Sequence, residues 1–391
     1  MPPRFVEVPV KPTLLKWARE SVGLDIPEIS KKLKVSEDVV TKWESGQKRP
    51  TLIQIEKLAS IYKRPLAIFF LSEPPKDSPL PNDFRTLPEE EKAPLSPETR
   101  LAIRRAWRAN YLAAELSRSL ERETIPKIER ADLSDDPESV AAKTRETLGV
   151  QIESQFGWKN QYEALNEWRK SIEDKGIFVF QMGMPIKETR GFSLTESRFP
   201  VIVLNTRDSV TARIFTLFHE YGHILLNKSG ICDMEDRHYL TDEIKLLERF
   251  CNHFAGSVLV PKEHLLNHEL VRSTNYFPEW PDEVLRKTAN DFKVSQEVIL
   301  RKLLILGMTE EDFYRSKREQ WKLEIRGIQK KKKGGRQIPP RKCIQENGVT
   351  YVSLVLDGYR ENRITYSEVA DYLSIQTKHL RRVEQLLRGM I

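Results

Sequence analysis

Residues 213–227 read RIFTLFHEYGHILLN, and the spacing inside this stretch decides what the rest of the chain is built around. On a helix each residue turns the chain by about 100°, so His219 and His223, four apart, project from one face within about 40° of each other. Glu220 sits about a quarter turn round, near enough to reach a metal-bound water without being a ligand itself. Zinc held by three protein ligands keeps a fourth position for water, lowers that water's pKa from about 15.7 toward roughly 7, and polarises a carbonyl bound beside it. The carboxylate then takes the proton. Ile214, Leu217, Phe218, Ile224 and Leu225 surround the motif and bury the helix,. A helix with two core-satisfied histidines is the alternative reading.

At 391 residues the chain is long enough for two or three domains, and its apolar fraction of 39% allows a sizeable core,. Cys232, Cys251 and Cys343 are scattered and form no CxxC, which indicates neither a disulfide framework nor a cysteine zinc knuckle,. The start, MPPRFVEVPVKP, lacks the apolar core of a signal peptide, and no apolar run is long enough to span a bilayer,. A cytoplasmic location and no membrane partner are expected. Of the net charge of +7, residues 315–342 carry +10 (twelve Lys or Arg against Glu319 and Glu324), which leaves −3 elsewhere. The basicity belongs to one segment and not to the fold.

Residues 12–71 read as a compact all-α module. PTLLKWARESVGL has helical apolar spacing, and IPEISKKLKV and SEDVVTKWESG are short helices joined by a turn at Lys34 and Val35,. Ser36 is a good N-cap, Gly46 ends that helix, and Thr51 with Gln54 suits a capping box. With TKWESGQKRPTLIQIEKLA at its centre, the module resembles the helix-turn-helix domain of the Xre/Cro family of transcriptional regulators. The resemblance implies a helix from Ser36 in the major groove, with Ser36, Glu37, Thr41 and Lys42 facing bases and Lys48 and Arg49 meeting phosphate. Glu37, Asp38 and Glu44 make this helix less positive than most, and the fold also serves as a protein-binding or dimerisation unit. Trp17 and Trp43 are expected in the core.

From Ser72 to Ser96 the composition turns rich in Pro and acid, as in an extended linker,. Pro97 starts a helix on which Arg104, Arg105 and Arg108 read as a solvated face. GIFVFQM from Gly176 and FPVIVLN from Phe199 read as strands with RGFSL between them, so a small sheet precedes the central helix,. FSLTES or its neighbour is placed as an edge strand able to pair with an extended substrate, a plain core sheet being the alternative.

A third ligand is sought downstream. TDEIKLLERFCNHFAGSVLVP reads as a helix capped by Thr241 and stopped by Pro261,. Glu248 falls inside its apolar face with Leu247, Cys251 and Ala255, where an unpaired carboxylate is costly and a metal ion compensates its charge. A salt bridge to Arg213 or Arg249 is the alternative. His253 lies about 140° round the wheel and points away, and Asn252 is placed to hold a ligand or line the site.

FPVIVLNTRDSVTARIFTLFHEYGHILLN followed by ERFCNHFAGSVLVP resembles the ImmA/IrrE family of metallopeptidases, and an Xre-type domain ahead of it is a layout of that family. The resemblance covers residues 176–261 closely. It implies His219 and His223 as Zn2+ ligands, Glu220 as general base, Glu248 as third ligand, and cleavage of a repressor protein that releases transcription. Gly222 inside the helix fits a tight approach of another segment, and Tyr239 and His238 are weak candidates for a transition-state donor.

VLRKTANDFKVSQEVILRKLLILG has a helix-turn-helix look with Val294 and Ser295 at the turn, and ITYSEVADYLSIQTKHLRRVEQLL has similar punctuation. His264 and His268, also four apart but without a following Glu, read as surface residues. The expected fold class is mainly α with a small β-sheet (α+β). The expected parts are a helix-turn-helix domain (1–71), a linker (72–96), a zincin-like peptidase domain (97–265), a helix-turn-helix-like module (266–312), a basic mobile segment (313–342) able to touch DNA phosphate, and a C-terminal helical module (343–391). Two functions follow from the sequence. One is an intracellular zinc endopeptidase acting on a specific protein. The other is a DNA-binding regulator whose peptidase-like domain is a scaffold or sensor.

Overall fold

The computed structural model describes residues 6–75, 82–83, 95–122, 128–195, 199–228, 230–232, 242–273, 278–328 and 338–389. Most of the expected linker, Thr241, and the candidates His238 and Tyr239 lie outside them. The chain is mainly α with a small β-sheet.

The first unit is built from α1 (Pro12–Val22), α2 (Ile26–Leu33), α3 (Glu37–Glu44) and α4 (Leu52–Tyr62). Thr51 and Gln54 form a reciprocal capping box at the start of α4. Ser36 occupies the N-cap of α3 but makes no side-chain cap hydrogen bond. Lys34, at φ 58°, makes the left-handed turn between α2 and α3. Trp43 is buried among Ile29, Val40 and Leu58, while Trp17 is half-buried under the Arg64 guanidinium, 4.4 Å from its ring.

The sheet follows. It contains β1 (Asn82–Asp83), β2 (Phe178–Met182), β3 (Gly191–Leu194), β4 (Val201–Asn205) and β5 (Gly230–Cys232), in the spatial order β1-β5-β3-β4-β2. β2 and β4 pair parallel, as do β1 and β5, and β3 runs antiparallel to both its neighbours. The expected edge strand is therefore an interior one, because β5 takes up the free side of β3 with Phe192 opposite Ile231.

The apolar strands β2 and β4 are covered on both faces, as unbroken apolar runs require. Val179, Ile202 and Leu204 face α8 (Gln161–Glu173), α9 (Val210–Leu225) and α10 (Asp242–Leu259). α6 (Pro137–Leu148), α7 (Ile152–Gly157), α11 (Lys262–Asn267), α12 (Glu269–Arg272), α13 (Asp282–Phe292), α14 (Gln296–Ile305) and α15 (Glu311–Ile328) complete that side. Phe178, Phe180, Phe192 and Val203 face the other way, onto α5 (Pro97–Ser119), α16 (Pro339–Asn347), α17 (Val349–Arg360), α18 (Tyr366–Tyr372) and α19 (Leu380–Arg388). The C-terminal helices thus share a core with the sheet. The segment expected to be mobile over 313–342 is helical in α15 and again from Pro339, and residues 329–337 lie outside the described ones.

Arg104 and Arg105 of α5 correct a second expectation, while Arg108 stays on the solvated face. Arg104 donates to the carbonyls of Tyr62 and Lys63 at 2.7 and 2.8 Å, capping α4. Arg105 donates to Asn347 Oδ1 at 3.1 Å, and Arg108 pairs with Asp371. Their partners belong to distant segments, which periodicity along α5 does not reveal.

Behind α10 a polar cluster ties three helices together. Glu138 of α6 accepts from His253 Nε2 at 3.0 Å and pairs with the buried Lys302 of α14, which also donates to Ser257 Oγ at 2.8 Å. Burial works to raise the Glu138 pKa, but His253 and Lys302 outweigh it and hold it at about 2, against an ordinary 4.5. Burial lowers the Lys302 pKa despite Glu138, so the pair's net gain is smaller than the carboxylate's shift alone implies,. A depressed carboxylate stabilises the fold above its unfolded pKa and ceases to as pH falls through its folded one. Glu138→Gln should therefore cost about 1–2 kcal/mol in urea unfolding at neutral pH. The gap should close as pH falls from 4.5 toward 2. A gap that stays constant over that range would show that the charge contributes nothing.

Candidate metal centre

α9 is rich in apolar residues, and all its residues from Arg213 to Leu225 are buried. Such a helix belongs inside a core. Ser209 caps it by accepting from the Ala212 amide at 3.2 Å. Its close fit depends on two glycines. A Cβ on Gly222 would meet Cys251 Sγ and Phe254 Cδ1 of α10, each at 3.2 Å. One on Gly191 of β3 would lie 2.5 Å from Thr216 Cγ2 and 3.7 Å from Glu220 Cγ.

This packing sets the HExxH face against Glu248 of α10. His219 Nε2 lies 3.3 Å from Glu248 Oε2, His223 Nε2 lies 3.4 Å from Glu248 Oε1, and the two Nε2 atoms are 3.2 Å apart. All three residues are buried. Arg213 instead donates to Gln181 Oε1 at 2.6 Å, and Arg249 is exposed, so neither neutralises Glu248.

The triangle has the dimensions of a tetrahedral site. Ligand bonds of about 2.0–2.1 Å at tetrahedral angles put donor atoms roughly 3.3 Å apart. Two imidazole nitrogens facing each other at 3.2 Å repel unless a proton or cation lies between them. His219 Nδ1 is 3.1 Å from Asn252 Oδ1, which orients the ring with its Nε2 lone pair toward the cluster,. Two nitrogens and a carboxylate suit zinc among the common divalent ions.

Glu220 is fully buried; its carboxylate oxygens make no close hydrogen bond among the described residues, but the Ser193 hydroxyl of β3 lies near enough to favour its charged form. Burial raises its pKa, against the pull of His223 and His219. Burial also acts to raise Glu248, but the two histidines hold it well below the usual carboxylate range. His219 is raised in turn, Glu248 overcoming the effect of burial.

Residues 172–304 match the family model of the IrrE N-terminal-like peptidase domain, and residues 15–69 match a helix-turn-helix family model. These two matches, a helix-turn-helix ahead of a peptidase domain, correspond to the ImmA/IrrE architecture. No curated protein matches it. The peptidase match contains α9 and α10 whole, so the convergent donors lie inside a domain of a metallopeptidase family. Among the described residues no helix is long and apolar enough to cross a membrane.

The helix-turn-helix residues lie elsewhere. Ser36, Glu37, Thr41, Lys48 and Arg49 are exposed, while half-buried Lys42 is held by Asp38 at 2.6 Å. His253 points to Glu138 and not to the cluster. His264 is exposed, but His268 is not a plain surface residue: it lies 3.1 Å from Asp291 Oδ2 and against Phe156 and Phe292. The sheet's contribution through Gly191 escaped the sequence reading. A glycine opening a short strand was its one signal.

Proposed function

We propose that the chain is a zinc-dependent endopeptidase that cleaves a specific protein, a transcriptional repressor, with its N-terminal helix-turn-helix domain bringing it to DNA. The observation that carries this reading is the buried triangle of His219, His223 and Glu248 beside the fully buried carboxylate of Glu220. His219, His223 and Glu248 would hold the ion. Bound there, zinc supplies Lewis acidity toward a peptide carbonyl and makes water more acidic.

The remaining work falls to the protein. Glu220 takes a proton from the attacking water onto a carboxylate oxygen and delivers it to the leaving amide nitrogen. Burial raises its proton affinity, and the charge of an ion held beside it would act the other way,. Asn252 holds the His219 ring. Asn252→Ala should weaken zinc binding about 10–100-fold by competition with a chromogenic chelator, as loss of such a supporting partner does. Unchanged affinity would remove Asn252 from the site.

The repressor as substrate is supported by the ImmA/IrrE resemblance together with the helix-turn-helix domain, since DNA binding through it would bring the peptidase to where repressors act. Profiling of new protein N-termini in cells expressing the wild type or Glu220→Gln tests it. One new N-terminus within a DNA-binding protein, present only with the wild type, is expected. No Glu220-dependent cleavage in cells where the protein is active would overturn the reading.

A further inference from the structure

The helix-turn-helix architecture occurs at both ends of the chain. Residues 25–43 and 365–383 correspond position for position without a gap. Asp25 and Glu28 form a capping box at the start of α2, and Thr365 and Glu368 form the same box at the start of α18. Lys34 turns the chain at φ 58° and Ser374 does so at φ 53°. Ile29, Val40 and Trp43 are buried, as are Val369, Leu380 and Val383 at the matching positions. Capping, turn and core therefore agree at each step, which is more than the spacing of apolar residues alone supplies.

The two copies differ on the face they expose. In α3 it bears Glu37, Asp38, Thr41 and Lys42, and Lys42 is tied to Asp38. The matching positions are Thr377, Lys378, Arg381 and Arg382, all exposed and with no acid among them. Gln385, one turn on, is exposed too and accepts from Arg382 at 2.9 Å. A third turn of this kind, at Lys293 between α13 and α14, shows what a purely structural copy looks like: Leu300, at the position of Thr41 and Arg381, is fully buried. Neither family match reaches residues 365–383.

We infer that α18 and α19 form a second DNA-binding helix-turn-helix, with the segment from Thr377 to Gln385 set against double-stranded DNA. Arg381, Arg382 and Gln385 are of the types that read base edges in the major groove, and Lys378 is of the type that meets phosphate. The better recognition face thus belongs to the C-terminal copy. The N-terminal copy, with three acids on its helix, contributes less of the charge that non-specific DNA affinity needs,.

The test is binding of the full chain to a fluorescein-labelled duplex of about 40 mixed-sequence base pairs, followed by anisotropy across salt concentrations. Replacing Lys378, Arg381 and Arg382 by Ala should lower affinity on the order of tenfold near 100 mM salt and reduce the salt slope by about 2. The same loss should appear in a Lys48→Ala, Arg49→Ala background, which separates this face from the N-terminal one. The substituted side chains are exposed, and circular dichroism checks that the fold is kept. Removing Lys143, Lys170 and Lys187, exposed cations elsewhere, controls for net charge. A loss below about threefold at α19, or an equal loss in that control, overturns the inference. The readout involves neither zinc nor cleavage, so its failure is separate from failure of the peptidase reading.

Discussion

Glu220→Gln is expected to keep the bound metal and to lose peptide hydrolysis by on the order of 10²–10⁴-fold. The amide has nearly the volume of the carboxylate, so the packing of α9 against β3 and α10 is undisturbed, but it cannot accept a proton from water. Both Glu220 oxygens lie in a fully buried position without a close hydrogen bond among the described residues, and burial there disfavours the charged form. A neutral amide relieves part of that cost. The variant should accordingly unfold at a temperature equal to or above that of the wild type, as when a group kept for function is removed. Elemental analysis, a cleavage assay on the substrate found by N-terminal profiling, and thermal unfolding read the three quantities together. Retention of more than a tenth of the activity would exclude Glu220 as the base. Loss of metal would make it part of the binding site instead.

How much of this arrangement was legible in the sequence depends on whether a feature repeats within one element. The i, i+4 histidines of α9 share a face by helical geometry alone, and Glu248 stands out because a carboxylate interrupts the apolar stripe of its helix. Their convergence needed only that two apolar faces pack. The capping box at Thr51 and the left-handed turn after α2 were legible for the same local reason. Contacts between distant segments were not. Arg105 and Asn347 are 242 positions apart, and nothing in the periodicity of α5 distinguishes an arginine facing water from one facing a partner helix. The apolar strands FVFQM and VIVLN imply covered faces, but not that the C-terminal helices cover one of them,. β3 was placed at an edge because its neighbour β5 has three residues, too few to show alternation. The C-terminal helix-turn-helix is legible in the sequence only as punctuation, because its second helix opens with the single 3₁₀ turn Thr377–His379, which blurs the 3.6-residue pattern,.

Glu248→Ala should abolish the response of the fold to zinc. A ligand present at about 100 times its dissociation constant stabilises the state that binds it by roughly 2.7 kcal/mol. For a domain of this size each kcal/mol moves the midpoint by about 2–4 °C, so zinc should raise the wild-type midpoint by roughly 5–10 °C over the chelated protein. Glu248 is the anionic member of the triangle and touches both histidines, at 3.3 and 3.4 Å. Loss of a supporting partner alone weakens such sites about 10–100-fold, so loss of a direct donor should exceed that and leave the ion unbound at the same concentration. The variant's midpoint should then be the same with zinc and with chelator. Glu248→Gln separates charge from shape: it keeps an oxygen donor within the same volume, and a partial zinc response from it would assign the difference to the carboxylate's charge. A full response in both variants would require a different third ligand. Asn252, one turn along α10 and already 3.1 Å from the His219 ring, is the donor that such a result would bring forward.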